Sequence, residues 1–95
     1  MVRFEWDEKK AEANWRKHGV RFGEARAVFD DPSHLTFEDD TESYEERWQT
    51  IGIVGRRLMF VVHTVRENGD IVVRIISARY ADDEDWREYV GRNRW

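Results

Sequence analysis

The sequence predicts a single α+β domain over residues 1–95, with helices mainly on one face of an antiparallel sheet. Three observations predict it. Helix-start and helix-stop residues bracket two amphipathic stretches in the first third, two tight-turn signals separate three apolar stretches after residue 45, and an acidic stretch opens a last helix. A chain of this length allows one modest core.

The first third of the chain is predicted to form a short strand and two helices. Residues 3–6 alternate weakly between polar and apolar side chains, as a strand does. Asp7 and Gly19 are suited to begin and end a helix over 8–18. A second helix is predicted over 22–30, where an Asp-Pro step stops it. The side chains predicted to face inward are Ala11, Trp15 and His18 in the first helix and Phe22, Ala25, Val28 and Phe29 in the second.

Three strands of an antiparallel meander are predicted at about 46–54, 57–66 and 71–79. Gly55-Arg56 fits a type II′ turn and Asn68-Gly69 a type I′ turn. The polar, acidic residues 33–46 before the meander are predicted to form a mobile surface loop, in which Leu35 and Phe37 allow a short strand.

Two-residue loops would fix the register, so His63 is predicted to lie opposite both Trp48 and Arg74. One face of the meander is then a core face, and the other is a mixed, half-open face on which Trp48, His63 and Arg74 form one row. The predicted core face carries Ile51, Ile53, Leu58, Phe60, Val62, Ile71, Val73 and Ile75, with Arg47, Arg66, Ser77 and Arg79 at its margins.

The last helix is predicted over 82–91, with Asp82 as its N-cap and acidic residues in the first turn, where the helix dipole favours them. Trp86, Tyr89 and Val90 are predicted to face inward. The following tail gives no prediction of structure. Its aromatic residue Trp95 is the sole basis for expecting a homodimer, and a disordered tail is the alternative.

Composition narrows the class of protein. The chain has no cysteine, which excludes disulfides and thiolate zinc sites. It has no apolar run or leader typical of a membrane span or a signal peptide, so a cytoplasmic protein without a membrane partner is expected.

The net charge of −4 is unevenly distributed along the chain. Residues 47–79 carry six arginines against two carboxylates, a net +4, and the rest of the chain carries −8. Arginine suits phosphate and carboxylate, although strand-flanking arginines on a solvated face are equally consistent with this pattern.

Most kinds of catalytic site lack a sequence signal. His18, His34 and His63 do not have metal-ligand spacing, and neither a phosphate-binding glycine loop nor a nucleophile elbow occurs, so no metal and no cofactor is expected. What remains is the predicted row on the sheet. There His63 would carry a proton, Arg74 would hold a phosphate and Trp48 would stack on a base, as metal-free RNA cleavage requires. The alternative is structural: Trp48 covers an apolar patch, Arg74 stacks on it, and His63 is an ordinary surface histidine.

Six stretches of the chain resemble the BrnT family, the toxin half of a bacterial type II toxin–antitoxin pair. The resemblance covers about residues 3–89, and its combination of K-H-G, E-E-R and R-I-I-S-A-R is specific. The stretches are F-E-W-D (4–7), N-W-R-K-H-G-V-R-F-G-E-A (14–25), V-F-D-D-P (28–32), E-E-R-W-Q-T-I-G (45–52), V-V-H-T-V-R (61–66) and R-I-I-S-A-R-Y-A (74–81).

This resemblance implies a RelE-like microbial ribonuclease fold with a short N-terminal strand, two helices, a three-stranded antiparallel meander and a C-terminal helix. It implies an endoribonuclease that cleaves RNA and inhibits translation. The resemblance further implies that a BrnA-like antitoxin neutralises this enzyme, and that the toxin–antitoxin complex contacts operator DNA only through the antitoxin. The family's polar signature falls on Lys17, His18, Glu46, Arg47, His63, Thr64, Arg66, Arg74, Ser77 and Arg79. From these we predict His63, Arg66, Arg74 and Arg79 as catalytic residues and Lys17, Arg47 and Ser77 as RNA-binding residues. Trp48 is added to the predicted RNA-binding residues as the stacking surface of the row on the sheet.

The chain departs from the family pattern at Val65, where a carboxylate is usual, at Tyr80, where a basic residue is usual, and in its acidic last helix. Val65 removes a carboxylate that is a candidate base or orienting group, and the missing cations predict weaker attraction to RNA. A catalytically weak or inactive binding module that docks an antitoxin and acts in a DNA-binding regulatory complex is therefore the alternative function. The predicted register also places Arg66 and Arg79 about eight positions, or roughly 26 Å, apart. The site is then centred either on His63 and Arg74 or on Ser77 and Arg79 under the last helix.

Overall fold

The computed structural model describes residues 1–39 and 46–93, which form a five-stranded mixed sheet with helices on both sides. The strand order is β1-β5-β4-β3-β2, with β1 parallel to β5 and the other neighbours antiparallel. In chain order the elements are β1 (Val2–Glu5), α1 (Glu8–His18), α2 (Phe22–Ala25), a 3-10 helix (Arg26–Asp30), β2 (Leu35–Glu38), β3 (Trp48–Val54), β4 (Arg57–Asn68), β5 (Asp70–Tyr80) and α3 (Asp83–Arg92).

The predicted α+β architecture is confirmed, and two edge strands extend the predicted meander. β1 pairs along the first half of β5, and β2 pairs with β3. The longest helix in the described ranges has 11 residues, so none of the helices seen there has the length and apolar character to cross a membrane. Residues 40–45 of the predicted acidic loop lie outside the described residues, as does Trp95, on which the homodimer expectation rests.

Helix α1 begins and ends at the predicted residues. The Asp7 side chain accepts a hydrogen bond from the Lys9 N–H, and Gly19 adopts the left-handed conformation (φ 68°) and donates its N–H to the Trp15 carbonyl. The predicted inward stripe is wrong at Trp15, whose surface is 43% exposed. The buried residue of α1 is Asn14, a polar side chain that an apolar pattern cannot identify.

Asn14 holds α1 against β5 with three buried hydrogen bonds. Its Nδ2 donates to the carbonyls of Val20 (3.0 Å) and Ala78 (2.8 Å), and its Oδ1 accepts from the Ala78 N–H (3.0 Å). β1 pairs with β5 only as far as Arg74. Beyond that point the Asn14 carboxamide hydrogen-bonds β5 as a neighbouring strand would, so the backbone polar groups of Ala78 are satisfied.

The stretch predicted as one helix over 22–30 forms a single turn of α-helix followed by a 3-10 helix. Phe22, Ala25 and Val28 are buried as predicted. The 3-10 helix lies very close to β3: a Cβ atom at Gly52 would be only 2.6 Å from the Val28 carbonyl oxygen. Glycine at position 52 therefore allows this close approach.

The register predicted for the first hairpin is confirmed, and the register predicted for the second is wrong. Trp48 lies opposite His63, and Gly55 has a positive φ of 64°, as a type II′ turn requires. In the second hairpin only Gly69 has a positive φ (78°), and Asn68 remains in β4 opposite Asp70. Since a type I′ turn needs a positive φ at both central residues, the turn differs and β5 is displaced by one residue.

A β-bulge adds a second displacement within the same hairpin. His63 lies opposite Ile75 but Val62 lies opposite Ser77, so Ile76 has no partner on β4. Between the turn and the bulge, the one-residue displacement reverses the predicted facing of β5. After the bulge, Ser77 and Arg79 lie on the same side of the sheet as Phe60 and Val62, as predicted.

The two sides of the sheet are exchanged relative to the prediction, because the helices of the first third pack on the side that was expected to be mixed and half-open. The side that we call the helix face packs against α1, α2 and the 3-10 helix and forms the larger core. On the other side, the open face, α3 covers one end over a small apolar cluster of Ile51, Leu58 and Tyr89. The helix face carries Met59, Val61, His63, Ile75 and Ala78, and the open face carries Leu58, Phe60, Val62, Thr64, Arg66, Arg74, Ser77 and Arg79.

Helix α3 begins at Asp83 with Asp82 as its cap, as predicted, and Asp85 completes a capping box. Of the three residues predicted to face inward, Tyr89 is buried, while Trp86 and Val90 are exposed. The Tyr89 hydroxyl donates to Asp31 (2.6 Å), which also accepts from the Ile53 N–H (2.8 Å). Burial raises the pKa of Asp31, but hydrogen bonds from Tyr89 and from backbone N–H groups outweigh it, so the pKa is lowered and the carboxylate stays charged.

Replacing Asn14 by alanine is expected to lower the free energy of unfolding by about 3 kcal/mol, because both backbone polar groups of Ala78 lose their partner in a buried position. Urea denaturation of Asn14→Ala measures this loss. Lys10→Ala, at an exposed position of the same helix, is the control and should change stability by less than about 0.5 kcal/mol. Equal stability of Asn14→Ala and the wild-type protein would contradict the role given to this side chain.

Candidate active site

Four of the predicted functional residues project from β4 and β5 onto the open face. Arg74 lies opposite Thr64, Ser77 opposite Val62 and Arg79 opposite Phe60, while Arg66 follows two positions after Thr64. Arg74 has the opposite parity to Ser77 and Arg79, so a regular strand would place it on the other side of the sheet. The bulge at Ile76 is the reason that they share a face.

Glu5 of β1 joins the two arginines at one end of this face. Its carboxylate accepts a hydrogen bond from Arg66 through one oxygen, and from Arg74 through the other at 2.6 Å. The Arg66 hydrogen bond is the main reason that the pKa of Glu5 lies below its usual value, and Arg74 lowers it further. Glu5 is therefore ionised at neutral pH, and it orients both guanidinium groups.

Arg47 adds a third arginine to the same end of the face. It directly precedes β3, and extending the pairing of Trp48 with His63 by one residue places Arg47 next to Thr64, on the other side of Thr64 from Arg74. The Arg47 Nε is buried and has no hydrogen-bond partner within the described ranges. Arg47, Arg66 and Arg74 thus occupy the strand positions around Thr64, which is partly exposed.

Arg79 occupies the other end of the face, under α3. Its Nη1 donates to Asp85 of α3 at 2.8 Å and to the Tyr80 carbonyl at 3.2 Å, and its guanidinium lies 4.1 Å from the centre of the Phe60 ring. These contacts hold α3 on the sheet. Arg66 and Arg79 are six strand positions apart by the observed register, or about 20 Å, so they cannot contact one phosphate.

His63 lies on the helix face and is 1% exposed. Its Nε2 is 2.7 Å from the Thr50 hydroxyl, and its ring packs edge-on against Phe29 with the centroids 5.1 Å apart. Burial lowers the pKa of His63 to about 4, so the imidazole is neutral at pH 7. The predicted row of Trp48, His63 and Arg74 is therefore wrong: Arg74 is on the opposite side of the sheet because of the displaced register.

The other two RNA-binding predictions also fall away from the open face. Trp48 pairs with His63 and Glu38 and so points to the helix side of the sheet. Lys17 is exposed on α1, which packs against that side as well. Within residues 1–39 and 46–93, no three metal-ligand side chains lie together.

The departures at Val65 and Tyr80 do not alter the open face. Val65 lies opposite Val73, and Tyr80 lies opposite Met59, so both are on the helix side of the sheet. Arg57 stacks over the Tyr80 ring at 3.4 Å. A carboxylate at position 65 would not lie beside Arg74 or Arg66, so its replacement by valine leaves that arginine pair complete.

Sequence reasoning missed two residues that organise this region, Glu5 and Asn14. Each binds partners more than 60 residues away in the chain, and pattern analysis over short windows does not detect such contacts. The F-E-W-D motif contained the only signal for Glu5, a carboxylate placed within a short apolar strand.

A family model described as the ribonuclease toxin, BrnT, of type II toxin–antitoxin systems matches residues 6–85 of the chain. The chain belongs to this family. Membership confirms the ribonuclease-toxin function expected from the resemblance, and an RNA substrate and an antitoxin partner follow from it. The fold is similar to that of the Brucella abortus ribonuclease toxin BrnT, whose crystal structure matches with a TM-score of 0.65 and 23% identity over 87% of this chain and 100% of that chain. No curated protein sequence matches.

In this BrnT-family chain, the buried His63 makes stability depend on pH. The unfolded chain takes up the proton near pH 6.5 but the folded chain only near pH 4, so the free energy of unfolding should fall by about 3 kcal/mol as the pH drops across this interval. Chemical denaturation at a series of pH values measures the fall. His63→Gln should lack this part of the curve, and an identical pH dependence in the variant would show that other groups cause it.

Proposed function

We propose that the chain is a metal-independent endoribonuclease whose RNA site is the Glu5 end of the open face. The observation that supports this is the convergence of Arg47, Arg66 and Arg74 around Thr64, next to one carboxylate. Planar guanidinium groups bind phosphate oxygens in pairs and stabilise the charge that develops on phosphorus when RNA is cleaved. Such a cluster supplies that stabilisation without a metal ion.

Glu5 is proposed as the acceptor of the 2′-hydroxyl proton. The carboxylate is ionised and already next to the arginines that would hold the phosphate. When the phosphate takes over the hydrogen bonds of Arg66 and Arg74, Glu5 loses the interactions that lower its pKa and becomes a stronger base. His63 is left out of this site because its imidazole is buried on the other side of the sheet.

Arg79 is proposed as a positioning residue. Its bonds to Asp85 and its contact with Phe60 fix α3 at the border of the open face. Ser77 lies between Arg79 and Arg74 and is partly exposed, so its hydroxyl is placed to contact the RNA backbone next to the cleaved phosphate.

The antitoxin is proposed to be BrnA-like and to carry the contacts to operator DNA, with the toxin joining DNA only through that complex. The acidic balance of the toxin, a net charge of −4, agrees with this division, because direct binding to duplex DNA favours a basic protein. Cleavage of messenger RNA by the free toxin would inhibit translation in the cytoplasm.

One observation favours the alternative function, a binding module without turnover. The guanidinium groups of Arg66 and Arg74 are both occupied by Glu5, and Arg79 is occupied by Asp85, so RNA must displace these carboxylates. Expression without the antitoxin separates the two functions: an active toxin stops growth, whereas a binding module leaves growth unchanged while still binding the antitoxin.

Purified protein freed of antitoxin should cleave RNA in the presence of EDTA, and Arg74→Ala should lower kcat/KM by about 100-fold, because one oriented donor to the reacting phosphate is lost. Cleavage of a fluorescent oligoribonucleotide measures this. Arg26→Ala removes an exposed arginine that lies in the 3-10 helix on the other side of the sheet and should cleave as the wild type does. Absence of cleavage by wild-type protein would contradict the proposed activity.

The proton acceptor is tested by comparing Glu5→Gln with His63→Gln, each checked for folding by circular dichroism. Glu5→Gln should lose cleavage to a similar extent as Arg74→Ala and should lose the dependence of kcat on the ionisation of a carboxyl group. His63→Gln should keep kcat within about threefold at pH 7 if it folds. The reverse result would return the proton-transfer role to His63.

A further inference from the structure

A groove lies between α1 and α2, on the side of the molecule opposite the open face. Its volume is about 530 Å³. Among the described residues that line it, the groove combines aromatic and acidic side chains with one cation: Trp6, Trp15, Glu8, Glu12, Glu24 and Arg21. Phe22 is buried and Trp6 packs against the larger core, so the fold explains these two rings. Trp15 is exposed, and neither the fold nor the proposed RNA site explains its position at the surface.

Trp15 shows what kind of group this groove accepts. The residue is 43% exposed, and it belongs to a helix whose other side is packed on the sheet. The Arg21 guanidinium lies over the ring at 4.2 Å, which is a cation–π contact within the chain. Trp6, edge-on to Phe22 with the centroids 6.1 Å apart, provides a second aromatic surface in the same groove.

The charges of the groove favour a basic occupant over RNA. Three glutamates face one arginine there, and the ion pair of Glu12 is with Arg16 of the same helix. Glu8 and Glu24 have no ion-pair partner among residues 1–39 and 46–93. Their carboxylates repel phosphate groups and attract lysine or arginine. The groove therefore favours a positively charged occupant, whereas the arginines of the open face favour a negatively charged one.

We propose that the groove binds a basic segment of the antitoxin, with an arginine or lysine side chain over Trp15 or Trp6 and its charge next to Glu8 and Glu24. This inference rests on the antitoxin partnership of the family and not on the RNA-cleaving site. A cationic side chain with a long apolar stem satisfies both features of the groove, since the stem packs on the aromatic rings while the charge meets the carboxylates.

The position of the groove has a consequence for neutralisation. A segment seated between α1 and α2 does not cover Arg66 or Arg74, which are on the far side of the sheet. The groove is therefore an anchor that increases the affinity of the complex, and another part of the same antitoxin has to block the RNA site. Toxin variants altered in the groove should still be inhibited when the antitoxin is in large excess.

The test uses this toxin chain and its cognate antitoxin, with the dissociation constant measured by isothermal titration calorimetry. The double variant E8K/E24K should bind at least 30-fold more weakly, and wild-type affinity should fall as salt is raised. E67K, which reverses the charge of one exposed glutamate of β4 outside the groove, is the control and should bind within twofold of wild type.

RNA cleavage by the free variant is the independent readout, and E8K/E24K should cleave as the wild type does. Affinity for the antitoxin within twofold of wild type would overturn the proposal. An equal loss of antitoxin affinity in E67K would also overturn the proposal. The same holds if E8K/E24K abolishes self-association of the toxin, or if it loses RNA cleavage while antitoxin binding is unchanged. If E8K/E24K is unfolded by circular dichroism, Trp15→Ala replaces it, with the same expected loss. An inactive wild-type toxin would contradict the proposed RNA site but would leave this test intact.

Discussion

The structure depends on the carboxamide of Asn14, which binds both the N–H and the carbonyl of Ala78. The pairing of β1 with β5 ends at Arg74. Without Asn14, the backbone polar groups in the following part of β5 would face the packed side of α1 with no hydrogen-bond partner. A side-chain amide has the same donor and acceptor as a peptide group, so one residue of the helix completes the sheet. The contact also fixes α1 against the strand that carries the candidate site.

Ala78 follows closely after the bulge at Ile76, and this proximity links the packing of α1 to the composition of the open face. The bulge changes the parity of β5, so that Arg74, Ser77 and Arg79 all lie on the same side. On the edge of β5 that faces away from β4, β1 pairs with the part before the bulge and Asn14 hydrogen-bonds the part after it.

Local signals in the sequence predicted local structure well. Asp7, Gly19 and Asp82 begin or end helices because their effect depends only on neighbouring residues, and Gly55 sets its hairpin for the same reason. The facing of β5 could not be predicted in this way, since it depends on the backbone of Asn68 and on a bulge that tertiary packing maintains. The error propagated to the site, because a displacement of one residue exchanges the two sides of a strand. Family resemblance identified the function in spite of it.

The pairing of Glu5 with two arginines has a consequence for how selective the toxin is before it meets a substrate. A bare arginine cluster adheres to any polyanion, including ribosomal RNA and duplex DNA, through counterion release alone. Here Glu5 pairs with Arg66 and Arg74 and offsets one of the three positive charges of the cluster, and the whole chain carries a net charge of −4. A nucleic acid that binds here must displace Glu5 from Arg66 and Arg74. We therefore expect the resting protein to bind bulk nucleic acid more weakly than an arginine cluster without Glu5 would.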